Sequence, residues 1–398
     1  MFKIYLKKAL SLFSILGFLF IPLTFFGSDY QYRLTKFLFL RPVTFIQNHF
    51  FPNAITNIDF SSDTIGLNIL LGVLLITGFL VVLILDLSKI RSAGVIAIFR
   101  LLSVYYLAAI FLKYGFDKIF KRQFYLPEPN ILYTDFGSLT KDTLFWSTMG
   151  TSHFYSVSMG LIEVLTAVLI LVKRTRVAGF YLAIAVAVNI LLINIGFDIS
   201  VKVFTAFLLL VLFINIYPSL KSIYAFFIQH RQVQLSVSLQ HTIPVNKWVH
   251  VLLSASLVGG ILFPYLSSGN FNDDHAKRPP LHGAYSMEHF IIGNDTLNHC
   301  DFPYKRFFIH RNSYIIFQQK DDTMVDYFFE LNAEKKQMQI QDYQKNKISV
   351  TYNYNEKTGA LQLFFENEAK WMIEGKSLNW QALPALQDKM HFTIDEIK

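Results

Sequence analysis

Long apolar runs fill the first two thirds of the chain, and alternation with a period of two takes over after Ser267. Seven runs are long enough for membrane-spanning helices: residues 9–26, 64–85, 93–112, 155–172, 177–195, 203–217 and 249–266. The sixth is short and is expected to begin near Ile199. A helix rises ~1.5 Å per residue, so about 20 residues cross the hydrocarbon core. The first run follows Lys3, Lys7 and Lys8, which is the charge layout of a signal peptide. Its far flank, Phe25-Phe26-Gly27-Ser28-Asp29, offers no small-x-small cleavage site, so an uncleaved anchor is expected.

Beyond Ser267, Ile348, Val350, Tyr352 and Tyr354 alternate with polar residues. Asn355-Glu356-Lys357-Thr358-Gly359 reads as a turn, followed by Leu361, Leu363 and Phe365. Met338/Ile340, Trp371/Ile373 and Phe392/Ile394 repeat the period. Short strands between turns predict an antiparallel meander. Its apolar face needs a closed or two-layer sheet, and a small lipocalin-like barrel is one such form. The bulky Phe and Tyr residues favour an interior filled by side chains over a ligand pocket. Asn294-Asp295-Thr296 has the letters of a glycosylation sequon, but beside Gly293 it reads as a turn. The fold class is thus a multi-span helical membrane protein of about seven spans followed by a small antiparallel β domain. The expected divisions are 1–92 with two spans, 93–220 as a four-helix bundle, 221–279 with the seventh span and a tether, and 280–398 as the β-rich domain.

Composition supports the split. Hydrophobic residues make up 53% of the 398, too many for an ordinary soluble chain. Residues 1–266 carry a net +11, and residues 267–398 a net −3. The excess of base therefore belongs to membrane loops, which argues against a nucleic-acid surface. Orientation follows from the same residues. With the amino end inside, inner segments hold Lys3, Lys7, Lys8, Lys89, Arg91, Lys173, Arg174, Arg176, Lys221, Arg231 and Lys247. The compact loop with Lys173, Arg174 and Arg176 is the firmest signal, and seven crossings place the carboxy-terminal domain outside a bacterial inner membrane. Residues 30–51 and 113–133, rich in aromatic and basic side chains, read as amphipathic segments on the bilayer surface.

Charges inside spans are costly and call for a reason. Arg100 in the third span and Glu163 in the fourth lie at similar expected depths, so an Arg100–Glu163 pair is expected, either as a helix lock or as one wall of a polar pocket. Asn189 in the fifth span would complete either arrangement. A second set, Lys113, Lys118, Asn194, Asp198 and Lys202, lies at the expected outer mouth. Four-residue spacing puts Asn194, Asp198 and Lys202 on one face if their helix continues.

No histidine is central to a span, so haem ligation by a facing pair is not expected. No phosphate-binding glycine motif occurs. One cysteine, Cys300, excludes an internal disulfide or a thiolate cage. Asp273, Asp274, His275, His282, His289 and His299 crowd the start of the β-rich region without a known metal spacing, so no metal site is assigned. No cofactor is evident from these residues.

Arg100 with Leu107–Lys118 (LAAIFLKYGFDK), then Gly160-Leu161-Ile162-Glu163, then Phe197-Asp198-Ile199-Ser200-Val201-Lys202-Val203-Phe204, resemble the motifs of the DoxX-like family of four-helix bacterial membrane proteins. Phe197 and Ser200 stand where the longer members have Tyr and Pro. Arg278-Pro279-Pro280-Leu281-His282-Gly283-Ala284-Tyr285 resembles the start of the outer domain in those members. The resemblance implies a membrane subunit linked to quinone-dependent chemistry, with quinone carbonyls suited to Arg100 or Lys113. The residues themselves leave three readings: a scaffold or binding protein whose outer domain holds a periplasmic protein or small apolar ligand, a quinone-associated redox protein, and a transporter built on Arg100 and Glu163. No inverted repeat supports the last. The bilayer is the one partner common to all three.

Overall fold

The fold is that of a computed structural model. It describes residues 2–23, 30–53, 58–89, 92, 94–233, 243, 246–366 and 370–387. Arg91, Phe392 and Ile394, the expected flank Phe25–Asp29 and the end of the first apolar run lie outside the described residues. The helices are α1 (Phe2–Phe20), α2 (Tyr30–Phe50), α3 (Ile65–Leu87), α4 (Gly94–Ile119), α5 (Pro129–Leu132), α6 (Lys141–Thr151), α7 (His153–Leu171), α8 (Arg176–Gly196), α9 (Lys202–Ile216), α10 (Leu220–Phe227) and α11 (Lys247–Ser268). The strands are β1 (Gly283–Ile292), β2 (Asp295–Thr296), β3 (Tyr304–His310), β4 (Tyr314–Gln319), β5 (Met324–Asn332), β6 (Gln337–Gln341), β7 (Lys347–Asn355), β8 (Ala360–Phe365) and β9 (Trp371–Ser377). The chain divides into a helical unit, Met1–Gln123 with Val157–Phe271, and a β unit, Phe124–Ser156 with Asn272–Lys398.

Six helices among the described residues are long and apolar enough to cross a membrane: Ile65–Leu87, Gly94–Ile119, His153–Leu171, Arg176–Gly196, Lys202–Phe227 and Lys247–His275. The expected seven are thereby corrected to six. Lys3, Lys7 and Lys8 fall inside α1, leaving twelve uncharged residues before it ends at Phe20. At the helical rise that is ~18 Å, short of the ~30 Å core. α1 nonetheless packs along α3. The Tyr5 hydroxyl donates to the Phe79 carbonyl at 2.9 Å, and Lys8 pairs with Asp86 at 2.9 Å. The segment read as a surface amphipath becomes α2, whose first turns close the end of α1. Gln31 donates to the Ile21 carbonyl at 2.7 Å, and Thr35 to the Phe20 carbonyl at 2.9 Å. These bonds satisfy carbonyls that a helix end leaves without intrahelical partners.

The junction of α8 and α9 also differs from expectation. α8 stops at Gly196, and Asp198 takes a left-handed φ of 53°. The helix does not continue, so Asn194, Asp198 and Lys202 share no helical face. The N-terminus of α9 is capped from another part of the chain. The Asp63 carboxylate accepts from the Lys202 and Val203 amides at 2.7 and 3.0 Å, where a negative group suits the positive end of a helix dipole.

In the β unit every neighbouring strand pair is antiparallel, in the order β2-β1-β3-β4-β5-β6-β7-β8-β9, and β1 also pairs with β9. That pairing closes an eight-stranded barrel, with the two-residue β2 as a flap beside β1. Val350, Leu361, Leu363 and Ile373, expected on the apolar face, are at most 1% exposed inside it. Phe307, Ile309, Ile315 and Phe329 join them. Burying each such side chain contributes about 1.5–3 kcal/mol, which is what makes closure worth more than an open edge. The turn 355–359 forms between β7 and β8. Gly359 has φ +70°, a value that favours glycine, and its amide reaches the Asn355 carbonyl at 2.8 Å.

Candidate functional site

In the helical unit, Glu163 does not meet Arg100. Its two carboxylate oxygens accept from Lys118 Nζ, each at 2.9 Å, and both side chains are under one tenth exposed. The cause is the level at which α4 and α7 cross. They touch at Gly115 and Gly160, where a Cβ on Gly160 would stand 2.5 Å from the Gly115 carbonyl oxygen. Only hydrogen side chains allow that approach, and it sets Glu163 beside Lys118. Arg100 lies eighteen residues earlier on α4, ~27 Å away along the helix. α7 has ended by that level: Tyr105 and the Leu171 carbonyl both contact His250, at 2.6 and 2.9 Å. A carbonyl only accepts, so His250 donates through Nε2 and, when neutral, accepts from the Tyr105 hydroxyl through Nδ1. Asn189, expected to complete the Arg100 site, lies on the exposed face of α8.

The expected outer-mouth set divides into separate pairs. Lys113 pairs with Asp117, whose other oxygen accepts from the Tyr265 hydroxyl at 2.5 Å. Asn194 is buried and donates to Thr205 at 3.0 Å. Lys202 bridges Asp198 at 2.8 Å and Asp63 at 3.8 Å. The Arg122 guanidinium lies 4.4 Å from the centre of the Tyr265 ring. Each of these charges is met by a neighbour, although the Asp198 side chain is 83% exposed.

The β unit holds two features that the sequence reading did not assign. The first is a cavity of about 260 Å³ in one end of the barrel, lined by Tyr304, Phe317, Tyr327, Ile340, Asp342, Asn346, Ile348, Phe365, Trp371 and Ile373. The expected filled interior is corrected in part: residues near the other end fill it, but this mouth stays open. Ile348, expected in the apolar core, is 37% exposed at the mouth. The rings stand at angles to one another. Tyr304 and Phe317 are 5.0 Å apart and tilted by 39°, Phe317 and Tyr327 are 6.1 Å apart at 72°, and Phe365 and Trp371 are 6.3 Å apart at 62°. Among the described residues, Asp342 is the only carboxyl in the lining. The Asn346 side chain and amide donate to it, each at 2.8 Å, and hold its carboxyl below the usual range. Burial pushes the Tyr304 phenol up, so it stays neutral.

The second is an acid–base network at the opposite end. Glu128, just before α5, is 4% exposed. Its carboxylate accepts from His282 Nε2 at 2.8 Å and from the Arg311 guanidinium. Arg311 also bonds Asp273 at 2.5 Å and stacks over Tyr125 at 4.4 Å. His310 Nε2 lies 3.9 Å from Glu128. Burial pushes the Glu128 carboxyl up, but the His282 hydrogen bond and the Arg311 charge outweigh it and hold it down to about 2. The network fastens residues 125–128 to the β3–β4 turn, and Gln318 adds a bond to the Tyr133 carbonyl at 3.0 Å.

Among known proteins, the chain is 36% identical over 116 residues to "Uncharacterized protein YwoB" of Bacillus subtilis, a match spanning 29% of this chain and 71% of that protein. No protein-family model matches, and no solved structure does.

Proposed function

We propose that this chain, which belongs to the same family as uncharacterized protein YwoB of Bacillus subtilis, is a bacterial membrane protein that binds a small, largely apolar ligand in the mouth of its barrel. The observation that carries the reading is the cavity of about 260 Å³ walled by five aromatic side chains in a closed barrel. At ~30 Å³ per water it has room for about nine waters, just under the range typical of drug-sized ligands. The quinone-linked reading draws on the DoxX-like resemblance, but the Arg100–Glu163 site it was built on is not assembled. We place the barrel outside the cytoplasmic membrane, because α11 starts from the basic side of the bundle, after Lys221 and Arg231.

Binding is tested with N-phenyl-1-naphthylamine and the full-length protein in maltoside micelles. We expect one saturable fluorescence-enhancing site per chain, weakened about tenfold or more in Ile348→Trp, whose indole fills the mouth. Equal binding by both proteins would remove the barrel from the account. A carboxy-terminal alkaline phosphatase fusion should be active and the matching green fluorescent fusion dark; the reverse pattern would place the barrel inside.

A further inference from the structure

Aromatic walls alone suit any apolar molecule. What sets this mouth apart is the company they keep. Five rings, two of them phenols, surround a space with one carboxylate and, among the described residues, no Lys, Arg or His in the lining. Ring faces carry negative electrostatic potential, and a cation over them is attracted, most strongly over tryptophan. The rings do not form one parallel stack: their planes differ by 39°, 72° and 62° in the three adjacent pairs. Rings stacked flat on one another would hide their faces, whereas walls in several planes can each turn a face inward.

We infer that the barrel mouth is an aromatic cage for a quaternary ammonium group, with Trp371, Tyr304, Tyr327 and Phe365 around the methyls and Asp342 as the counter-charge. Such a group is apolar on its surface and positive overall, so it uses both parts of the lining. It has no N–H to satisfy, which fits walls that offer few acceptors. Its size fits as well: a trimethylammonium carrying a two-carbon arm has six non-hydrogen atoms, and the cavity has room for about nine waters. The inference rests on the barrel-mouth reading above and narrows its ligand class.

The test compares choline with 3,3-dimethyl-1-butanol, the neutral carbon isostere, by calorimetry on the full-length protein in maltoside. Detergents with choline head groups are excluded. The expected result is binding of choline about tenfold or more tighter than the isostere. Trp371→Leu should abolish choline binding, and Asp342→Asn should weaken choline without weakening the isostere. Equal or tighter binding of the isostere overturns the inference and leaves an apolar-ligand site. Binding of the naphthylamine probe without any choline binding has the same meaning. Failure of both probes overturns the inference and the barrel-mouth reading together. An unchanged thermal melt of Trp371→Leu shows that its loss of binding is local; if that variant misfolds, Asp342→Asn still decides the outcome.

Discussion

Glu163→Gln alone should lower the yield and melting temperature of the protein, and so should Lys118→Met alone. Each change removes one member of a buried ion pair and keeps the other, which typically costs ~3–5 kcal/mol. The double variant Lys118→Met/Glu163→Gln should recover much of that loss, because it removes both charges. Pairing of Glu163 with Lys118 at 2.9 Å on both oxygens predicts strong coupling in this cycle. Combining Arg100→Met with Glu163→Gln should instead give additive losses, since residues that far apart rarely couple. Coupling in the Arg100 cycle without coupling in the Lys118 cycle would mean that α4 and α7 cross at another level.

Glu128→Gln should destabilise the β unit by about 3 kcal/mol at neutral pH. A carboxyl held to about 2, against an ordinary 4.5, corresponds to that much at ~1.36 kcal/mol per pH unit. The sign is that of a carboxyl with a depressed folded value. The stabilisation is complete above about pH 4.5 and fades as pH falls toward 2. Wild type and variant should therefore differ most at pH 6–7 and converge near pH 2, as followed by near-ultraviolet circular dichroism during thermal melts. A difference that stays constant from pH 7 to pH 2 would show that Glu128 acts through packing. His282 and Arg311 face it directly, with His310 and Asp273 next to them, so all four must be intact in the comparison.

Periodicity located the elements well where one side of the chain is buried. The strands holding Val350, Leu361, Leu363 and Ile373, and the turn at Asn355–Gly359, lie where the alternation put them. Six of the seven apolar runs became helices of spanning length and composition. Rise per residue gives depth along one helix but not where two helices meet. Gly115 and Gly160 decided that, and both lay within the stretches resembling the DoxX-like motifs. A reading that asked which small residues permit close approach would have moved Glu163 from Arg100 to Lys118. Glu128 was beyond reach for another reason: its partners lie 154 and 183 residues away, and local pattern carries no such pairing. The cavity was missed because counting bulky Phe and Tyr residues estimates how much volume they fill, not where a gap remains.

The most direct test of the central claim uses the four tryptophans, Trp146, Trp248, Trp371 and Trp380. The full-length protein is labelled with 5-fluorotryptophan, its ¹⁹F resonances are assigned by single substitutions, and naphthylamine probe is then added. Of the four, only Trp371 lines the cavity. The account predicts that the Trp371 resonance shifts saturably while Trp146, Trp248 and Trp380 stay in place. A probe that binds and shifts Trp248, in α11, while leaving Trp371 unmoved would contradict the claim and return the ligand site to the helical unit.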